Sequence, residues 1–330
     1  MNLVVWCSFL AIFFALLWLD LGVLHREADE LSVRQALKAT FGWIVVALGF
    51  ALLVYGLYEN RWFDWNPGEG GQSYGRDAVV AFVTGYVLEW SLSVDNIFVI
   101  ALIFSYLRVP PKFQYRVLFW GIVGAIVLRG AMIATGTALI HAFDWMFYVF
   151  GGILLLSALR MLKSDEGQYD PSRSYVVRAV RAVFPVSEHL DGQRFFTRLD
   201  GRLAATPLFV ALLLVDFADV VFAVDSIPAI LAVTQDSFIV FTSNAFAILG
   251  LRALYFAIAG LMEQFRFVKY SLVLILAFVG VKMTLALHYH IPNLISLGVI
   301  LSVLAAGVLA SMLIKPRSDA PADAPPKKHD

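Results

Sequence analysis

Two apolar stretches of this sequence each carry a pair of acids six residues apart. The first reads Glu89-Trp-Ser-Leu-Ser-Val-Asp95-Asn96-Ile97, the second Asp219-Val-Val-Phe-Ala-Val-Asp225-Ser226-Ile227, and Asp216 lies one helical turn before Asp219. Val, Asp and Ile recur at equivalent places, and an amide or a hydroxyl follows the second acid each time. Carboxylates beside an amide and a hydroxyl are hard oxygen donors. They suit Mn²⁺, Mg²⁺ or Ca²⁺ better than soft metals. The single cysteine, Cys7, excludes a cysteine cluster and an intrachain disulfide. No two histidines stand at i, i+4 within an apolar run, and His288 and His290 read as interfacial. The candidate metal ligands are therefore Asp95 and Asp225 as the leading pair, Glu89 and Asp219 as their partners, then Asn96, Ser226 and Asp216, with Asn244 a weaker candidate.

Acids in an apolar run are costly. Each charge near a bilayer centre costs at least ~2.5–3.5 kcal/mol, so the five together would cost well over ~10 kcal/mol if unpaired. Protons, a bound cation or counter-charges must offset this. Arg129, Arg252 and Lys282 also fall in apolar runs and are the candidate counter-charges. At 100° per residue, Glu89, Ser93 and Asn96 share one stripe, Asp219 and Ser226 another, and Asp95 and Asp225 point elsewhere. A straight helix would not bring both acids of one motif to one point, but a broken helix would. Pro228 cannot donate to the carbonyl of Val224, so the sequence predicts a kink there that frees an oxygen beside Asp225.

The elements that must position these residues are membrane spans. The chain of 330 residues is 60% hydrophobic and 15% charged, with mean hydropathy +0.77. A soluble chain is about 45–50% apolar and about 25% charged. Nine apolar runs approach the ~20 residues that cross a bilayer: 3–22, 39–59, 78–106, 114–138, 145–161, 207–234, 237–261, 269–288 and 293–314. Such spans must satisfy their own backbone, which predicts an all-α membrane protein. No basic residue precedes the first run and no small-residue cleavage site follows it, so it is expected to be retained.

The organisation that follows is a two-helix segment and outer loop (1–77), a first three-helix unit (78–161), a cytoplasmic loop (162–206), a second three-helix unit (207–288), a last helix (289–314) and a disordered cytoplasmic tail (315–330). Net charge is zero, so there is no basic footprint for nucleic acid. Lysine and arginine crowd alternate connections, namely 23–38, 107–113, 162–206, 262–268 and the tail. The opposite set holds only Arg61 and Arg76. The positive-inside rule then puts the N-terminus outside and the C-terminus in the cytoplasm of a bacterial inner membrane, in agreement with an odd number of spans. The loop 162–206 mixes charge with Tyr175, Phe184, Phe195 and Phe196. It could be an amphipathic helix on the bilayer, a site for a cytoplasmic protein partner, or an ordered loop. Tryptophans 18, 43, 62, 65 and 145 lie near span ends, as interfacial anchors do. Gly151-Gly152 and Gly121 with Gly124 read as close helix packing.

The two acidic motifs belong to a longer repeat. Leu128-Arg129 echoes Leu251-Arg252, and Ala158-Leu-Arg160-Met161 echoes Gly280-Val-Lys282-Met283. The third and sixth spans run in opposite directions, so spans 3–5 and 6–8 are expected to form an inverted repeat, a plan of secondary transporters with the site between the halves.

These segments, together with Thr242-Ser-Asn244-Ala-Phe-Ala-Ile-Leu-Gly-Leu-Arg252, resemble the TerC/Alx family of integral membrane proteins, closest to the Alx branch. The resemblance covers about residues 3–314. It implies kinship with LysE-type exporters and divalent-metal handling, chiefly manganese export, while some relatives are named for tellurite resistance. Glu89, Asp95, Asn96, Asp219, Asp225 and Ser226 match the family's polar positions. Asp216 departs, since the family often has Glu there. The expected function is Mn²⁺ efflux by a carrier that is not an enzyme and holds no cofactor, the ion being its cargo. Two alternatives stand beside it: a membrane scaffold or assembly factor with the acids as structural ion pairs, and a proton, Na⁺ or Ca²⁺ transporter on the same site. No Gly-x-Gly-Asp signal supports an intramembrane protease.

Overall fold

The computed structural model describes residues 2–22, 33–65, 74–163, 177–178, 182, 185–187, 189–199, 201–259, 267–289 and 291–313. The tail 315–330, His290, Arg26, Arg266 and, in the 162–206 connection, Arg173, Tyr175, Arg181 and Phe184 lie outside the described residues. Among the described residues, nine helices are long and apolar enough to cross a membrane. They are α1 Leu3–Gly22, α2 Val33–Glu59, α3 Gly75–Tyr106, α4 Pro111–Ala142, α5 Met146–Lys163, α6 Pro207–Leu231, α7 Ser237–Ala259, α8 Val268–Leu285 and α9 Asn293–Leu313. Every expected span is present. The ends differ most at α2, which begins at Val33 rather than 39, and at α4, which ends at Ala142 rather than 138. A helix can continue past an apolar run because its backbone bonds are internal.

Prolines mark the starts of α4 and α6: Pro111 and Pro207 occupy the first turn, where a missing N–H costs nothing. The turn between α3 and α4 is tight. Arg108 N–H bonds to Ser105 O at 3.1 Å and Val109 N–H to Phe104 O at 2.9 Å, with Arg108 at φ 51°. That is a Schellman closure with a non-glycine residue in the left-handed position. Pro228 does not break α6. The helix is continuous through it and ends at Leu231, so the proline sits in the last turn rather than in mid-span.

The described part of the 162–206 connection holds helical residues at Val177, Arg178 and Ala182 and an antiparallel hairpin, β1 Phe196–Leu199 with β2 Arg202–Ala205. Gly201, at φ 78°, turns the chain. Thr206 ties the hairpin to α6, its Oγ1 donating to Arg194 O at 2.8 Å and its N–H to Phe195 O at 2.9 Å.

Helix α3 is the centre of the bundle, packing on α2, α6, α7 and α9; α4 packs on α6 and α7, and α5 on α8. Phe9, Phe50, Phe82 and Phe246 join α1, α2, α3 and α7, with the Phe50 and Phe246 rings 4.5 Å apart. Two of the five expected interfacial tryptophans belong to this interior instead. Trp43 is buried, and Trp65 stacks 5.1 Å from Phe238. Trp18, Trp62 and Trp145 are exposed. Gly151 is a close-packing position, since a Cβ there would come within 3.0 Å of Gly280 O.

Candidate functional site

One guanidinium organises the interior. Arg129, on α4, is 1% exposed. Its Nε donates to Asp219 Oδ2 at 2.9 Å and its Nη2 to Asp219 Oδ1 at 2.6 Å. Its Nη1 donates to Glu89 Oε1 and to Asn244 Oδ1, the latter at 3.1 Å, and reaches Ser226 Oγ at 3.5 Å. Asn244 Nδ2 in turn donates to Glu89 Oε2 at 2.9 Å. Four helices converge: α3 supplies Glu89, α4 Arg129, α6 Asp219 and Ser226, and α7 Asn244. The seven-residue spacing of Asp219 and Ser226 puts both on one face of α6. The sequence points to all five residues, but it puts Asp95 and Asp225 ahead of Glu89 and Asp219 and makes Asn244 a weaker candidate. The structure makes Asn244 the bridge between the carboxylate and the guanidinium.

Asp216 stands one turn before Asp219 and is half-buried. Its Oδ1 is buried without a hydrogen-bond partner among the described residues. Gly124 of α4 lies beneath it, because a Cβ there would sit 3.0 Å from both Asp216 oxygens. Ser93 Oγ, one turn beyond Glu89, is also buried and without a partner among the described residues.

The second acids turn elsewhere, as continuous helices require. Asp225 accepts from Ser157 Oγ of α5 at 2.5 Å, and Asp95 is half-buried on α3. Among the described residues, no three His, Cys, Asp or Glu side chains are grouped so as to hold a metal ion.

The three intramembrane cations have three different fates. Arg129 pairs with motif acids. Arg252 pairs instead with Asp20 of α1, Nη2 to Oδ1 at 2.6 Å, both side chains 3% exposed, and lies 4.8 Å from the Tyr115 ring centroid. Lys282 donates to Asn293 Oδ1 at 3.0 Å and to Ser296 Oγ at 2.9 Å, neutral partners on α9. Asp20 was legible as an acid at the end of the first span, yet nothing in the motifs pointed to it.

A pocket reaches this cluster. Asn96, Gly121, Ala125, Phe222 and Arg252 line it, and Asp219 forms part of its wall. The lining comes from the C-terminal halves of α3 and α7, the N-terminal half of α4 and the middle of α6. Most of the lining is apolar, with Asn96, Asp219 and Arg252 its polar members, so the oxygen donors are concentrated at the cluster rather than along the pocket.

Nine apolar helices of spanning length, with their charges drawn into the bundle, define an integral multi-pass membrane protein. The chain belongs to the integral membrane protein TerC family, which it matches over residues 74–319. It is 44% identical over 97% of its length to a protein of Myxococcus xanthus described as "Uncharacterized membrane protein STKORF319", covering 96% of that protein. It is 42% identical over 95% of its length to the Escherichia coli (strain K12) protein described as "Putative membrane-bound redox modulator Alx", covering 96% of it. A protein of Photorhabdus laumondii with the same description is 44% identical, with 94% of each chain covered. No solved structure matches this chain.

Proposed function

We propose that this protein is a carrier that exports a divalent cation, Mn²⁺, from the cytoplasm across a bacterial inner membrane. One observation carries the reading: two carboxyl groups, Glu89 and Asp219, share a single guanidinium, and a third, Asp216, stands one helical turn before Asp219 with a buried oxygen that has no partner among the described residues. Arg129 cannot neutralise them all. The excess is that of a dication's charge, and Asn96, Ser226 and Asn244 offer neutral oxygens beside it. Mn²⁺ over Mg²⁺ or Ca²⁺ rests on the family resemblance, because all three take oxygen ligands.

The helix pairings support the inverted-repeat plan. Exchanging α3 with α6, α4 with α7 and α5 with α8 converts the α3–α7 packing into α6–α4. It leaves the α3–α6, α4–α7 and α5–α8 packings in place. Rocking of one unit against the other would then alternate access to the shared site. With the N-terminus outside, the pocket opens toward the Arg108–Lys112 turn and the 162–206 connection, the cytoplasmic side in this orientation. Asp95, on the cytoplasmic side of Glu89, would act as a ligand at entry and Asp225, on the outer side of Asp219, as a ligand or partner in release, and protons taken up by the carboxylates would couple to efflux. No enzymatic step and no cofactor are invoked.

A second reading has its own observation. Glu89 and Asp219 are both ion-paired, which suits a scaffold whose acids are structural and whose 162–206 connection meets a cytoplasmic protein. Manganese content in cells lacking other manganese exporters separates the two. Expression of the wild type lowers it; Glu89→Gln, Asp219→Asn, Asp95→Asn and Asp225→Asn do not. Wild-type efflux by the first two would sink the site. Loss of function only on removing charges from the 162–206 connection, with efflux intact, would favour the scaffold.

A further inference from the structure

The oxygens that would bind the cation are already held by Arg129. Its three nitrogens take both oxygens of Asp219, one of Glu89 and the Oδ1 of Asn244, and reach Ser226. A dication coordinated by carboxylate oxygens sits within about 2.0–2.6 Å of them. The guanidinium occupies that same volume, so the two cannot bind together. Resting on the cation-carrier reading above, we infer that Arg129 is a resident counter-cation: it fills the carboxylate cage when no metal is bound and withdraws when a dication enters.

Two features fit this role. The first is the direction of approach. Leu118, Ile122 and Ala125 line the pocket and recur at helical spacing along α4, and Arg129 is the next position on that stripe. Helical side chains lean toward the N-terminus, so Arg129 leans toward the pocket. Asp219 forms part of the pocket wall. An arriving cation therefore meets first the carboxylate that Arg129 grips with two bonds.

The second is charge. Without a cation, two buried carboxylates would face each other in a low-dielectric interior, which is costly. The guanidinium removes most of that cost, so an empty carrier keeps a compact site through its return. A monovalent ion that displaced Arg129 would gain no charge and would lose a fork of hydrogen bonds. A dication neutralises both carboxylates. Arg129 thus sets a threshold that favours divalent over monovalent cations.

The test is Mn²⁺ binding to purified full-length protein in detergent, read from the electron paramagnetic resonance signal of free Mn²⁺, with and without NaCl. In Arg129→Gln the cage loses its internal competitor. Mn²⁺ should bind at least about tenfold more tightly than to wild type, and Na⁺ should become a competitor of Mn²⁺, which it is not in the wild type. Unchanged or weaker Mn²⁺ binding by Arg129→Gln overturns the inference. Where Arg129→Gln does not give monodisperse protein, Arg129→Lys decides. A point charge without the bidentate fork competes less well, so tighter Mn²⁺ binding supports the role and binding equal to or weaker than wild type overturns it. The wild type reports separately on the parent reading. If it binds Mn²⁺ while the variants bind no better, only the role of Arg129 falls. If neither wild type nor variants bind, the cation site itself falls with it.

Discussion

Arg129 and Asp219 are joined by two parallel bonds, Nε to Oδ2 at 2.9 Å and Nη2 to Oδ1 at 2.6 Å, in the interior of the bundle. This geometry gives orientation as well as charge. It fixes the α4–α6 contact at the depth of the site. Removing the arginine leaves Glu89 and Asp219 buried and uncompensated, whereas Asp219→Asn leaves Arg129 paired with Glu89. Arg129→Met should therefore destabilise by ~3–5 kcal/mol and Asp219→Asn by less. Asp219→Asn should nonetheless abolish Mn²⁺ efflux. Thermal unfolding in detergent beside an efflux assay checks the ordering, and equal stability of the two variants would contradict it.

Gly124 keeps the Asp216 carboxylate where it is. A Cβ there would sit 3.0 Å from both of its oxygens and 3.1 Å from Cγ. Gly124→Ala requires that carboxylate to shift by a few tenths of an ångström, at a cost of up to ~1 kcal/mol that the gain in helix propensity offsets in part. Efflux should fall several-fold. Gly152→Ala is the control, because no atom lies within 4 Å of its added methyl. Wild-type efflux by Gly124→Ala would remove Asp216 from the transport path.

Much of this was legible from residue types and periodicity. The nine spans followed from apolar run length. The helical angle alone separates Glu89 from Asp95 and Asp219 from Asp225, whereas the break expected at Pro228 would have rejoined Asp219 and Asp225. The separation holds because α3 and α6 are continuous, Pro228 falling in the last turn of α6 rather than in mid-span. Partner choice was not legible. The sequence repeat makes Arg129 and Arg252 equivalent, yet one enters the cluster and the other turns to α1, outside the repeat. Pairing between distant helices depends on packing that no local pattern encodes. The hairpin had a local signal in the Asp200-Gly201 dipeptide, a common turn sequence, but charge and aromatic content masked it.

The Arg252–Asp20 pair predicts how α1 is held. Nη2 and Oδ1 are 2.6 Å apart, and each side chain is 3% exposed. Asp20→Asn leaves the guanidinium buried without its carboxylate and should cost ~3–5 kcal/mol. Replacing both partners by apolar residues, Asp20→Leu with Arg252→Met, should recover most of that loss, since a buried pair adds little net stability once its desolvation is counted. Thermal unfolding of the two singles and the double decides. A double variant as unstable as the sum of the singles would mean that each charge has a separate structural role.

The α3–α4 turn offers a test of local strain. Arg108 holds φ 51° because the Schellman closure needs a left-handed residue there, with Val109 N–H reaching Phe104 O at 2.9 Å. A side chain in that conformation costs roughly 1–2 kcal/mol, whereas glycine adopts it freely. Glycine also gives up more freedom on folding, which offsets part of the gain. Arg108→Gly should thus stabilise the fold by up to ~1 kcal/mol. Arg108→Ala keeps the Cβ and the strain, so it should give no gain, which separates backbone relief from loss of the charge. Lys112 and Arg116 remain on the same side, so the orientation should not change. Equal melting temperatures for the Gly and Ala variants would show that the turn is not strained at this position.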